Sequence, residues 1–146
     1  MTHRAETILA KVETLLTGLT TTGQNVSRGS LYDIHALPHV TIRKGQDAPI
    51  GDAGLNMSYI DRELSFSVRA TVAASTQQET EINKILEEVY AAIFADYTLG
   101  LSFVVLTTLE SDSDIQISTD GETPVAQVVS NYTVRYRHSF SDAGAG

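Results

Sequence analysis

A chain of 146 residues with 42% apolar and 19% charged side chains has the make-up of one folded domain with a single core, not of a disordered segment. Its formal charge of −8 disfavours a nucleic-acid groove or an anionic membrane surface as partner, because both are themselves negative. Without a cysteine it has no disulfide framework, no thiolate zinc site and no cysteine nucleophile. No apolar run approaches membrane length and the first residues carry no signal-peptide core, which predicts a protein folded in a cytoplasm. The charge is uneven: residues 76–122 hold ten carboxylates against one base, Lys84.

Residues 5–19 read as an amphipathic helix, with Ala5, Ile8, Leu9, Val12, Leu15, Leu16 and Leu19 on one face. Gly18 and the run Thr20-Thr21-Thr22-Gly23 end it, since β-branched threonines and glycine disfavour helix. Residues 26–34 read as a strand. After His35-Ala36-Leu37-Pro38, residues 39–43 read as a second strand placed just past its proline. Residues 45–61 carry Gly and Pro with scattered hydrophobics and predict a long mobile loop or arm. Residues 63–74 alternate cleanly: Leu64, Phe66, Val68, Ala70, Val72 and Ala74 against Glu63, Ser65, Ser67, Arg69, Thr71 and Ala73.

The stretch 75–99 is the element the chain is organised around. Ile82, Ile85, Leu86, Val89 and Ile93 recur at helical spacing with Tyr90 and Tyr97 on the shoulder of the stripe. Ser75-x-x-Gln78 and Thr76-x-x-Glu79 are both capping-box patterns, and Gly100 is the expected stop. Burying the five aliphatic side chains contributes on the order of 10 kcal/mol gross. Residues 102–110 then read as an apolar strand, 114–118 as a short continuation, Asp120-Gly121 as a turn, and 123–140 as a long last strand. In that strand Val128, Tyr132, Val134, Tyr136 and Phe140 oppose Gln127, Asn131, Thr133, Arg135 and Arg137. Residues 141–146 predict a disordered tail. Two helices with one apolar stripe each, and strands with one apolar face each, define an α+β fold. The expectation is two layers, a mixed or antiparallel sheet of about 4–6 strands with both helices on one face, as a single domain over residues 1–140.

Sites for chemistry are scarce. His35-x-x-x-His39 has the spacing of a helical metal pair, but Pro38 and the strand context remove the helix that would align the rings. Asp112-Ser113-Asp114 begins like a calcium loop, yet Ile117 and Thr123 stand where such a loop needs glycine and glutamate. No nucleophile elbow and no phosphate-binding glycine loop is present, and the Asn-x-Ser/Thr matches at Asn25, Asn56 and Asn131 matter only in a secreted chain. The expectation is a protein that is not an enzyme and has no cofactor and no metal.

The order of parts carries a resemblance. A short helix leads to Thr22-Gly23-Gln24-Asn25-Val26, then Arg28, Leu31-Tyr32 and Leu37-Pro38-His39-Val40-Thr41-Ile42. Next come Arg62-Glu63-Leu64-Ser65-Phe66-Ser67-Val68, the long helix ending Tyr97-Thr98-Leu99-Gly100, and Pro124-Val125 entering a strand that closes Thr133-Val134-Arg135-Tyr136. From Ala5 to about Tyr136 this resembles the tail terminator (tail completion) proteins of long-tailed bacteriophages. The resemblance implies a structural virion protein, assembled in the host cytoplasm and resident at the head-proximal end of the tail. It implies a homo-oligomeric ring, usually a hexamer, that caps the tail tube, stops its polymerisation and meets the head connector. Partners would be the tail tube protein and the neck protein, with DNA passing through the lumen unbound and no membrane. An acidic wall suits that passage. For subunit contacts the residues suggest Arg69, Arg135 and Arg137 on one side, and Glu87, Glu88, Asp112 and Asp114 on the other. Head-to-tail contacts of that kind close into rings. Alternatives are another neck, head-completion or minor tail protein and, more distantly, a free-standing cytoplasmic binding domain or enzyme.

Overall fold

The computed structural model describes residues 3–28, 37–50, 59–118 and 124–139. Helix α1 (Arg4–Leu16) and strands β1 (Val26–Arg28), β2 (His39–Pro49) and β3 (Tyr59–Ala73) come first. Helix α2 (Gln78–Phe94) and strands β4 (Val104–Asp112), β5 (Gln116–Ser118) and β6 (Val125–Ser139) follow among the described residues. The strands form one sheet of six in the order β1-β2-β3-β6-β4, with β5 pairing β6 beyond the end of β4. Among the described residues only β1 and β2 run parallel; the other pairs are antiparallel, so the sheet is mixed. Helices layered on a mixed sheet make this the two-layer α+β fold that the periodicities predict.

The two longest strands, β3 and β6, pair along their whole length, from Tyr59 with Ser139 to Ala73 with Val125. Alternation then sorts their side chains to two faces. Leu64, Phe66, Val68, Ala70 and Val72 share one face with Ala126, Val128, Tyr132, Val134 and Tyr136, and all are buried. Beneath the helices they join Ala5, Ile8, Leu9, Val12 and Leu16 of α1 and Ile82, Ile85, Leu86, Val89 and Ile93 of α2 in one core. Phe66 and Tyr132, directly opposite in register, stack with ring centroids 5.2 Å apart.

Helix ends are set locally. His3 caps α1, its Nδ1 accepting from the Ala5 N–H at 3.0 Å. After Leu16, Thr17 turns back to bond the Glu13 carbonyl through Oγ1, and Gly18 follows at φ +92°, where a side chain would be strained. Ahead of α2, Ser75 Oγ accepts from the Gln77 N–H and Gln78 Oε1 accepts from the Ser75 N–H, a local turn; the predicted capping box does not form, because the helix begins at Gln78 and its N-cap, Gln77, makes no side-chain cap bond. The second predicted box, Thr76 with Glu79, makes no such bond among the described residues.

Several expectations need correction. Helix α2 stops at Phe94, five residues before the predicted Leu99. The cause is Asp96, whose Oδ1 accepts from both the Thr98 N–H (2.9 Å) and Thr98 Oγ1 (2.7 Å), drawing the backbone into a tight turn. Leu99 and Gly100 then take positive φ. Residues 45–49 and 59–61, expected in a loop, are strand: β2 runs on to Pro49, and Ala48 and Pro49 pair Glu63 and Arg62. The tip of that segment, residues 51–58, lies outside the described residues, as do residues 29–34 of the predicted first strand, the Asp120-Gly121 turn and the tail 141–146.

Candidate functional site

The sheet face away from the helices carries the three predicted arginines. Arg69 sits opposite Val129, Arg135 opposite Glu63 and Arg137 opposite Asp61, all on the polar alternation of β3 and β6. Arg137 is engaged inside the chain: its Nε donates to Asp61 Oδ1 at 2.7 Å and holds that carboxyl below its ordinary range. Arg69 is half-buried and Arg135 exposed, and among the described residues neither forms an ion pair. Around them lie Ser65, Ser67, Thr41, Thr71, Asn131 and Thr133. Thr41 and Thr71 are buried there with hydroxyls that have no hydrogen-bond partner, and the Nδ1 of His39 is likewise unpartnered.

The predicted acidic residues are on the other side of the sheet or at its rim. Glu87 is exposed on the outer surface of α2. Glu88 turns inward, and its Oε1 accepts from the Thr21 N–H at 2.9 Å, tying the helix to the turn after α1. Asp112, at the end of β4, accepts from Tyr90 Oη and from Ser130 Oγ. Burial, reinforced by that bond to Asp112, pushes the Tyr90 phenol up to about 12. Asp114 is exposed between β4 and β5. The fold thus gathers the arginines on one face, together with Asp61 and Glu63, and sets the four predicted carboxylates on the opposite side or at the rim. No ion pair joins the two sets within the chain among the described residues.

Sequence reasoning missed one polar cluster. The ladder between β2 and β3 shifts register between Lys44 and Asp47, and Gly45 lies in the shift. A Cβ on Gly45 would stand 3.0 Å from the Ser65 carbonyl, a crowded approach that glycine relieves. The extra residue reverses the alternation and aims Asp47 at the helix-covered face. There both Asp47 oxygens accept from the buried Tyr136 hydroxyl, at 2.8 and 3.0 Å, and Arg62 stands 3.8 Å away. The Arg62 Nε also donates to Nε2 of the buried His138 at 2.8 Å. Desolvation, with the bond to Asp47, raises the Tyr136 pKa. A Gly-Gln step inside a strand was the available signal.

These contacts are structural in kind. Of the described histidines, His3 caps a helix, His39 Nε2 bonds Ser27 Oγ at 2.9 Å and His138 accepts from Arg62. Among the described residues there is no group of three or more His, Asp or Glu placed to hold a metal ion, and no helix long and apolar enough to cross a membrane. What fold and site define is a small two-layer α+β domain with a basic polar sheet face and an acidic helical surface. No protein-family model matches the chain, and no curated protein matches it.

Proposed function

We propose that this protein is a tail terminator of a long-tailed bacteriophage, a ring-forming structural subunit that caps the tail tube and presents its other face to the head connector. The observation that carries the reading is the division of charge across the two layers. Arg69 and Arg135 stand without ion-pair partners among the described residues, on the sheet face that the described helices leave alone. Glu87 is exposed on the helix layer behind them, and Asp114 at the rim. A subunit with opposite charge on its two sides suits head-to-tail contact, and such contacts close into rings. The resemblance in element order to that family supplies the number six and the partners, tube and connector. Glu88 and Asp112, already bonded within the chain, are weaker contact residues than Glu87 and Asp114.

The test is the mass of the protein incubated with tail-tube ends, beside tail length in particles that lack it. A ring on the tube end, and overlong tails in its absence, are expected. Tails of normal length that join heads without it would overturn the terminator role, and a ring found only at the head vertex would move the protein to a neck or head-completion role. Arg135→Glu should lower ring assembly while changing subunit stability by less than about 0.5 kcal/mol, because the side chain is exposed. Raised salt should act in the same direction.

A further inference from the structure

Strand β4 is the edge of the sheet: β6 pairs one side of it, and among the described residues no strand pairs the other. An edge is ordinarily blunted by lysine, proline or cover, because its free N–H and C=O groups invite another strand. Strand β4 contains neither residue, and the two register shifts of its ladder with β6, between Val104 and Leu106 and between Leu109 and Ser111, leave the stretch 106–109 regular between them. Instead Val105, Leu106 and Leu109 are 45%, 45% and 40% exposed. Phe94, at the end of α2, packs on Tyr132 with centroids 6.0 Å apart, and Leu109 sits opposite that same Tyr132, so the two form one apolar strip. All six exposed large hydrophobics among the described residues lie on β4, on its continuation β5, at the end of α2 or in the turn just after it: Phe94, Tyr97, Val105, Leu106, Leu109 and Ile117.

The strip is also electrically polar along its length. Where β4 begins, the Arg4 guanidinium lies 4.4 Å over the Phe103 ring and Arg137 donates its backbone N–H to the Phe103 carbonyl. Where β4 ends, Glu110 is exposed and Asp112 follows it. A strand that is cationic at its start, apolar in its middle and anionic at its end complements itself when turned antiparallel. A register centred on Thr107 sets Leu109 of one copy opposite Val105 of the other. It carries Glu110 of each towards the Arg4 end of its mate.

We propose that β4 is the seat of a second copy of this chain, joined edge to edge and antiparallel about a two-fold axis. Nine residues span about 30 Å, and the sheet with the helix layer about 10 Å above it gives a strip some 20 Å wide. That is roughly 600 Å² per copy, the lower end for a specific contact. The contact is isologous and uses the sheet edge, not the Arg69 and Arg135 face, so it does not rest on the ring reading.

The experiment is sedimentation equilibrium of the full chain over a range of concentrations, with hydrogen exchange of the β4 amides read beside it. Expected are a monomer–dimer equilibrium and β4 amides whose protection rises as the dimer fills. Glu110→Lys and Arg4→Glu should each weaken the dimer about tenfold or more, since like charges then meet at both ends. An equimolar mixture of the two variants should restore it, because each then finds its complement. Leu106→Lys should abolish the dimer and leave the melting temperature of the monomer within a few degrees of the original. Should Leu106→Lys fail to fold, the mixture of charge variants decides. A monomer at every concentration, a dimer indifferent to these substitutions, or β4 amides whose exchange ignores concentration would overturn the proposal. A ring of six that leaves those amides unprotected would do the same.

Discussion

The two faces of the sheet are built from the same strands, residue by residue in alternation, and their physics differs. On the helix-covered face every tooth of β3 from Leu64 to Val72 is buried and apolar, and the charged groups that intrude there are bonded, Asp47 to Tyr136, Arg62 to His138 and Asp112 to Ser130, while the buried hydroxyls of Tyr132 and Thr107 have no partner. On the other face Thr41 and Thr71 are buried with hydroxyls unpartnered, while Arg69 and Arg135 lack ion pairs among the described residues. The covered face is optimised for one packed state. The second face carries charges, Arg69 and Arg135, that form no ion pair among the described residues, which is what separates a surface that specifies a fold from one that is free to meet a partner.

That contrast can be broken from its strong side first. Ile85→Asp forces an unpaired carboxylate under α2 and should cost more than about 4 kcal/mol, enough to unfold the domain. A folded variant with an unchanged melting temperature would mean that the buried stripe is misassigned. Asp47→Ala should cost about 2–3 kcal/mol by leaving the Tyr136 hydroxyl and Arg62 without their shared acceptor. Denaturant midpoints measure it, and Tyr136→Phe in the same background should then add little, because the two act as one unit.

The other face should respond in the opposite sense. Thr71→Val keeps the shape and removes a buried hydroxyl that has no partner, so stability should rise, by about 0.5–1 kcal/mol. A loss there would show that the hydroxyl is bonded after all. The smallest effect is one of pH. Burial lowers the pKa of His39 from 6.5, so the unfolded chain binds its proton first. The stability that His39 contributes is complete above about pH 6.5 and is lost as pH falls from there through the folded value. Melting temperatures measured across that window should fall for the wild type and fall less for His39→Gln.

Much of this was legible locally. A run such as Leu64 to Val72 must bury alternate residues wherever it lies, and Ile82 to Ile93 must bury one helical stripe, because side-chain direction follows from backbone repeat alone. Those two periods determined the helices, the long strands, the two-layer class and the membership of the core. They also placed Arg69, Arg135 and Arg137 on a common face, since all occupy polar positions of strands whose apolar partners are buried. Capping was legible in part: Ser75 donates to Gln78 and accepts from Gln77 just ahead of the helix, but Asp96 ends α2 early through a side-chain contact that competes with helix instead of extending it.

Only the tertiary structure decided what depends on pairs of distant segments. Strand order places β6 between β3 and β4 and leaves β4 at the edge, which no local period encodes. The register shift at Gly45 carries β2 on to Pro49 and turns Asp47 towards Tyr136, 89 residues away in sequence. Whether glycine and glutamine in succession make a loop or a bulge depends on the strand alongside, here Ser65, whose carbonyl would crowd a Cβ at that place. The same holds for Glu88 and Asp112: a carboxylate on a predicted outer surface is spent inside the chain when a turn or a second strand brings an N–H or a hydroxyl within reach. Backbone repeat is a property of neighbours in sequence and can be read from them, whereas hydrogen bonds between segments exist only once the chain has chosen its pairings.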